Sequence, residues 1–191
     1  MLSLRPTRLP LCRRSLRCLP RDESGATAIE FSLVALPFFA LLFAILEGGL
    51  VFWANQVLGT AVTDASRELY TGRFQQSVAS VPSAQLAGRF KDAVCARIGG
   101  LFDCSTLRID VRTSASFPNG VPDPIVTDPD GTRRLDPNFG VYQHPQASQI
   151  TVVQASVQYP VLVPLMGANR SNITSNKRLL LSSTAFRTEP F

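Results

Sequence analysis

Residues that carry chemistry are scarce in this chain. Among its 191 residues there is one histidine, His144, set beside Pro145 with no evident nucleophile to serve. No Gly-x-Ser-x-Gly elbow, no phosphate-binding Gly-rich loop with Lys, and no His-Glu-x-x-His pair occurs. The common hydrolase, nucleotide-binding and zinc-protease signatures are therefore excluded. A small membrane-anchored hydrolase survives only if folding converges two carboxylates in a cleft. The reading is a non-enzyme that needs no cofactor and has no small-molecule substrate.

Charge is the second shortage. Phe31 to Leu46 has none, and after Glu47 none returns from Gly48 to Val62. About 20 apolar residues cross a hydrocarbon layer roughly 30 Å thick, so Ala26–Ala54 is long enough to be a transmembrane helix. Pro37 removes one helical hydrogen bond, which predicts a kink inside the run and not its end. Basic residues are also absent between Arg21 and Arg67, whereas Arg5, Arg8, Arg13, Arg14, Arg17 and Arg21 crowd the start. That asymmetry places the amino terminus in the cytoplasm and the rest outside. The net charge of +5 thus reports topology and not nucleic-acid binding. An ordinary secretory signal would end in an A-x-A-like site beyond Ala54, and none is convincing there.

What is present begins with Glu30. An ionised carboxylate inside a bilayer costs on the order of 2.5–3.5 kcal/mol, so Glu30 needs an interfacial position or a partner. A cut after Gly25 would leave a free ammonium on Ala26, one helical turn from Glu30 and on the same face.

The string Gly25-Ala26-Thr27-Ala28-Ile29-Glu30-Phe31 resembles the processing site of type IV prepilins. Together with Arg67-Glu68-Leu69-Tyr70-Thr71-Gly72 and the final Arg187-Thr188-Glu189-Pro190-Phe191, the chain resembles the TadE-like minor pilins (pseudopilins) of the tight-adherence, or Flp, type IVb pilus system. Thr188 departs from the Asn common there. The resemblance extends over most of Gly25–Phe191. It implies cleavage between Gly25 and Ala26 by a prepilin peptidase and an assembly charge on Glu30. It also implies work in the inner membrane with other pilins and the pilus assembly platform, toward an adhesive fibre. Residues 1–25 are then a basic leader that departs with Cys12 and Cys18, residues 26–54 the membrane helix, and residues 55–191 a periplasmic domain. The competing reading is an uncleaved single-pass scaffold whose periplasmic domain binds partners.

Within the outer domain, Val57, Leu58, Ala61, Val62, Ala65 and Leu69 recur at helical spacing, and Gly72 closes that extension. A polar stretch follows from Gln75 to Ser80. A second helix begins at Pro82-Ser83, with Ser83 as its cap, and buries Leu86, Phe90, Val94 and Ile98. Cys95 and Cys104 read as a disulfide, since the outer compartment permits one and a two-cysteine metal site lacks further ligands. Three β patterns follow: Leu107–Thr113, where Leu107, Ile109, Val111 and Thr113 alternate with Arg108, Asp110 and Arg112 as in a half-buried strand; Ile150–Val163, with Val153, Ala155, Val157, Tyr159, Val161 and Val163 on one face and Pro160 marking an edge or a bulge; and Arg178–Thr188. The fold class is α+β, with a three-stranded antiparallel sheet covered by helices. Residues 117–146, rich in Pro, Asp and Gly, read as a long surface loop with Asn119-Gly120 and Asp130-Gly131 turns. Its Asp123, Asp128, Asp130 and Asp136 raise a calcium site, but the spacing of an EF-hand is not met. Asn169-Arg170-Ser171 and Asn172-Ile173-Thr174 match glycosylation acceptors.

Overall fold

The computed structural model describes residues 25–116, 121–161, 173 and 177–191. The leader with Cys12 and Cys18, the Asn119-Gly120 turn, the Leu162-Val163 end of the second β pattern, and the acceptor asparagines Asn169 and Asn172 lie outside the described residues. The chain forms two units, Met1–Leu42 and Phe43–Phe191.

In the first unit Gly25 leads directly into helix α1 (Ala26–Tyr70), which runs through Pro37. Its apolar side chains are exposed, Phe31 and Leu33 each at 70 %. α1 contains an 18-residue window of mean hydropathy 2.4 with none of it buried, long and apolar enough to cross a membrane. A helix apolar on all sides suits lipid, because its backbone bonds are satisfied internally.

In the second unit the same helix becomes striped. Ala54, Leu58, Ala61, Val62, Ala65 and Leu69 are buried, while Asn55, Gln56, Thr60, Thr63 and Asp64 face out. The stripe packs within its own domain against Leu86, Phe90, Val94 and Ile98 and against Val111, Val153, Ala155, Val157 and Leu180. Each Val, Leu, Ile or Phe among them contributes roughly 1.5–3 kcal/mol of burial when fully enclosed. Gly72 ends α1 at φ 75°, as read, with the Gly72 N–H donating to the Leu69 carbonyl.

The stretch read as polar is partly helical. α2 (Arg73–Ser77) buries Phe74, whose ring meets Phe90 edge-on at 5.4 Å. α3 (Ser83–Arg97) buries the apolar face expected of it, but Ser83 does not cap it. Pro82 holds the cap position with no side-chain bond, and Ser83 is already helical. A cap must sit just outside the helix for its oxygen to reach the free N–H groups, so Ser83 is one residue too late. The Cys95–Cys104 disulfide, with Cα atoms 5.9 Å apart, then ties the end of α3 to the approach to the sheet.

Among the described residues five strands follow: β1 (Arg108–Ser114), β2 (Ile125–Thr127), β3 (Arg133–Leu135), β4 (Ile150–Pro160) and β5 (Lys177–Arg187). β1, β4 and β5 form the expected antiparallel sheet in the order β1-β4-β5. Pro160 does not mark an edge strand or a bulge, since β4 is central. It is the last residue of β4, opposite Lys177 and beyond the β1 pairing, which stops at Ser156. No β1 residue lies beside it to require the missing N–H. β4 is also buried on both faces from Ile150 to Val157, where alternation implied one.

The long loop is more ordered than its composition implied. β2 and β3 pair as a hairpin around Asp128–Thr132. The chain then returns to β1, where Val111 donates to the Val141 carbonyl at 2.7 Å and accepts from Gln143 N–H at 2.8 Å. Strands of three residues are too short to show a period in sequence.

Candidate functional site

Three constellations carry the residues singled out above. The first is the start of α1. Gly25 is exposed, and a Cβ built on it would meet no atom within 4 Å. Ala26 opens the helix, and Glu30, four residues on, is exposed on the same side. Cleavage before Ala26 would keep all 45 residues of α1 and remove only what precedes its first residue. It would also put an ammonium at the partly positive end of the helix, an arrangement disfavoured by about 0.3–1 kcal/mol. A carboxylate at position 30 offsets both that charge and the bilayer's cost for it.

The second constellation joins α1 to the end of the chain. The Glu189 N–H donates to the Tyr70 carbonyl at 3.0 Å, satisfying one of the acceptors that a helix terminus leaves open. The Phe191 ring lies over Gly72, where an added Cβ would fall 2.5 Å from Cγ. Thr188 is 2 % exposed: its N–H donates to the Gln149 carbonyl, and its hydroxyl donates to Gln146 O at 2.5 Å and accepts from Gln149 N–H at 3.0 Å. Tyr70 and Phe186 meet edge-on at 6.1 Å. Two of the three stretches that carried the resemblance, one at each end of the domain, are thus in direct contact.

The third is Asp110, which alternation had put on the solvent side of β1. It is 1 % exposed and accepts from Arg112 Nε at 2.8 Å and from the Gly140 and Val141 N–H groups at 3.2 and 3.1 Å. Arg112 is held in its charged form chiefly by that bond. Nothing local in sequence marks Asp110, because its donors arrive from the far end of the loop. Glu47, read only as a break in the apolar run, is likewise buried, at 4 % exposure.

The other loop aspartates serve turns. Asp123, Asp130 and Asp136 each accept the N–H two residues ahead, at 2.9, 2.9 and 2.8 Å. Asp128 pairs with Arg134 at 2.7 Å, which lowers its pKa. Among the described residues no three His, Cys, Asp or Glu groups gather to hold a metal ion. His144 accepts or donates at Nδ1 with the Tyr142 hydroxyl 3.2 Å away, and burial lowers its pKa. Burial likewise raises that of Tyr142.

Residues 25–67 match the family model of the TadE-like proteins. The match begins at the Gly25 start and ends at Arg67, so it covers most of α1 and none of the sheet, a narrower span than the resemblance to Phe191 implied. It associates this TadE-like segment with the Tad, or Flp, pilus system, and the apolar helix within it agrees with a membrane-anchored component. No curated protein and no solved structure matches the chain.

Proposed function

We propose that this chain is a minor pilin of a Tad/Flp-type pilus, made as an inner-membrane precursor and matured by a prepilin peptidase that cuts between Gly25 and Ala26. One observation carries the reading. An exposed glycine immediately precedes the first residue of an exposed apolar helix, and a carboxylate stands one turn further on, inside a segment that matches the TadE-like family. Gly25 lets the backbone enter the peptidase site without a side chain. Ala26 supplies the new ammonium, and Glu30 neutralises it or the ammonium of a neighbouring helix, so that the subunit joins a bundle of pilin helices. The domain from residue 55 onward stays in the periplasm and acts by contact, not by catalysis.

The amino-terminal sequence and intact mass of the protein from membranes of its own host test this. A start at Ala26, with only precursor accumulating in Gly25→Val, is expected. An intact leader in a host with active peptidase leaves the uncleaved scaffold, and a start beyond Ala54 means an ordinary secreted domain. In Glu30→Val, membrane insertion should persist while incorporation with other pilins falls; unchanged pilus formation removes the pairing role.

A further inference from the structure

The fold treats the two edges of its three-stranded sheet differently. In an antiparallel ladder, facing residues alternate between pairs that exchange both backbone bonds and pairs whose N–H and C=O groups point away. The Thr188 N–H to Gln149 carbonyl bond at 2.9 Å fixes the phase for β4 and β5. Counting back along the register, Phe186, Thr184 and Ser182 bond to β4, so Arg187, Ala185, Ser183 and Leu181 turn their groups to the outer edge. Lys177 obeys the same phase, since its carbonyl accepts from Ile173 N–H on that side.

Carried across β4, this count makes Ile109, Val111 and Thr113 the outward residues of β1. That edge is occupied at Val111 and Thr113. Val141 and Gln143 take both groups of Val111, and the Gln143 side chain accepts the Thr113 N–H at 2.8 Å. The β5 edge is not: from Leu181 to Arg187 its outward backbone groups meet nothing among the described residues, and the side chains of Leu181, Ser183 and Ala185 are exposed. It has no proline and no charge before Arg187, so it lacks the devices that usually blunt such an edge.

We propose that the β5 edge, Leu181–Arg187, accepts an extended strand from a different protein subunit, one carrying acidic residues where it passes the basic ends of β5. The subunit context rests on the pilus reading above. A second copy fits poorly. α1 and β5 run in the same direction, with Gly48–Asn55 beside Arg178–Leu181, Gly59 facing Ser182, and Tyr70 against Phe186. Two copies anchored in one membrane share the sense of α1, so their β5 edges meet in parallel and set Lys177 beside Lys177 and Arg187 beside Arg187. The antiparallel register centred on Ser183 would pair Lys177 with Glu189, but it inverts one copy in the membrane. A foreign strand with acidic flanks satisfies the open backbone groups and faces Lys177, Arg178 and Arg187 with the opposite charge.

The test places a photo-crosslinking aromatic residue at Ala185 in the full chain, expressed in its host, and maps adducts to peptides. An adduct to an extended, acid-bearing segment of another envelope protein is expected. Ser183→Pro removes an outward N–H and spares the β4 ladder, so it should cut the adduct about tenfold, through loss of one bond and of strand register. Arg187→Glu should cut it about fivefold through charge reversal. Retention of the Cys95–Cys104 bridge on a non-reducing gel checks folding; if Ser183→Pro fails that check, Arg187→Glu decides. Adducts with a second copy or with the chain's own 162–176 connection, no adduct, or unchanged yield in the folded variants each overturn the proposal. A chain that starts at Ala26 yet gives no adduct sinks this inference alone, whereas an intact leader sinks the pilus reading.

Discussion

Two stretches of α1 are rich in the same residue types and meet opposite surroundings. From Ile29 to Trp53 its Leu, Phe and Ile side chains point outward on every side, whereas from Ala54 to Leu69 the apolar residues form one buried stripe behind polar neighbours. Composition alone does not separate a lipid helix from a core helix; the distribution around the axis does. Leu58 and Leu41 are chemically identical, yet the first is 0 % and the second 63 % exposed.

Substituting the same residue in both stretches gives the sharpest test of that difference, and the largest effect. Leu58→Asp loses core packing and buries a carboxylate with no donor prepared for it, so about 4 kcal/mol or more of domain stability should disappear. Against a total of roughly 5–15 kcal/mol, that unfolds much of the population. Leu41→Asp should impair membrane insertion but leave the denaturation midpoint of the detergent-solubilised domain unchanged. Equal losses in the two variants would break the comparison.

The next largest effect lies where the buried stretch ends. Gly72 is held at φ 75° and lies under the Phe191 ring, so Gly72→Val meets both backbone strain and a clash. A loss of about 3 kcal/mol is expected. Adding Phe191→Ala should recover the clash and not the strain, and a double-mutant cycle separates the two. Full additivity would mean that the ring is not what confines position 72.

The helix end was legible for the glycine and not for the ring. Gly72 follows a helical stripe and reads as its C-terminal stop from neighbouring residues alone, but no local pattern announces that Phe191 lies over it. The same division runs through the domain. α3, β1, β4 and β5 repeat their apolar residues at 3.6 or 2 positions for long enough to be read. β2 and β3 do not, and Asp110 sits on the polar phase of β1 while being enclosed by Gly140 and Val141. Alternation likewise assigned one covered face to β4, because Gln154 and Ser156 are polar; both are buried. Burial produced by distant loops leaves no local period. The α1 start is the opposite case: Gly25, Ala26 and Glu30 lie within one turn, so their grouping needs only sequence spacing.

A smaller loss should follow from removing the covalent tie. Cys95→Ser with Cys104→Ser releases a short loop whose closure contributes about 2–3 kcal/mol on the chain-entropy estimate. The loss should appear in unfolding of the domain and not in insertion of residues 26–53, and a pulse-proteolysis assay in detergent measures it. An unchanged midpoint would show that the packing of Phe90, Val94 and Ile98 already fixes the end of α3 without the bridge.

The smallest effect is pH dependence confined to the domain. His144 is partly buried, and burial depresses its pKa below 6.5. The folded chain therefore resists a proton that the unfolded chain accepts near 6.5. Stability from this group is complete above that pH and is lost progressively as pH falls through it toward the folded value. The lowered pKa values of Asp103 and Asp128 act in the same direction but only near and below 3.8, so the interval between belongs to the imidazole. The ring is only partly enclosed, which keeps the effect modest. Unfolding midpoints at pH 7.5 and 5.5 should fall in the native chain and stay level in His144→Asn, which retains a polar group for the Tyr142 hydroxyl. Because α1 contains no histidine, the difference reports on the domain alone, and an equal fall in the variant would assign the proton uptake to a group other than His144.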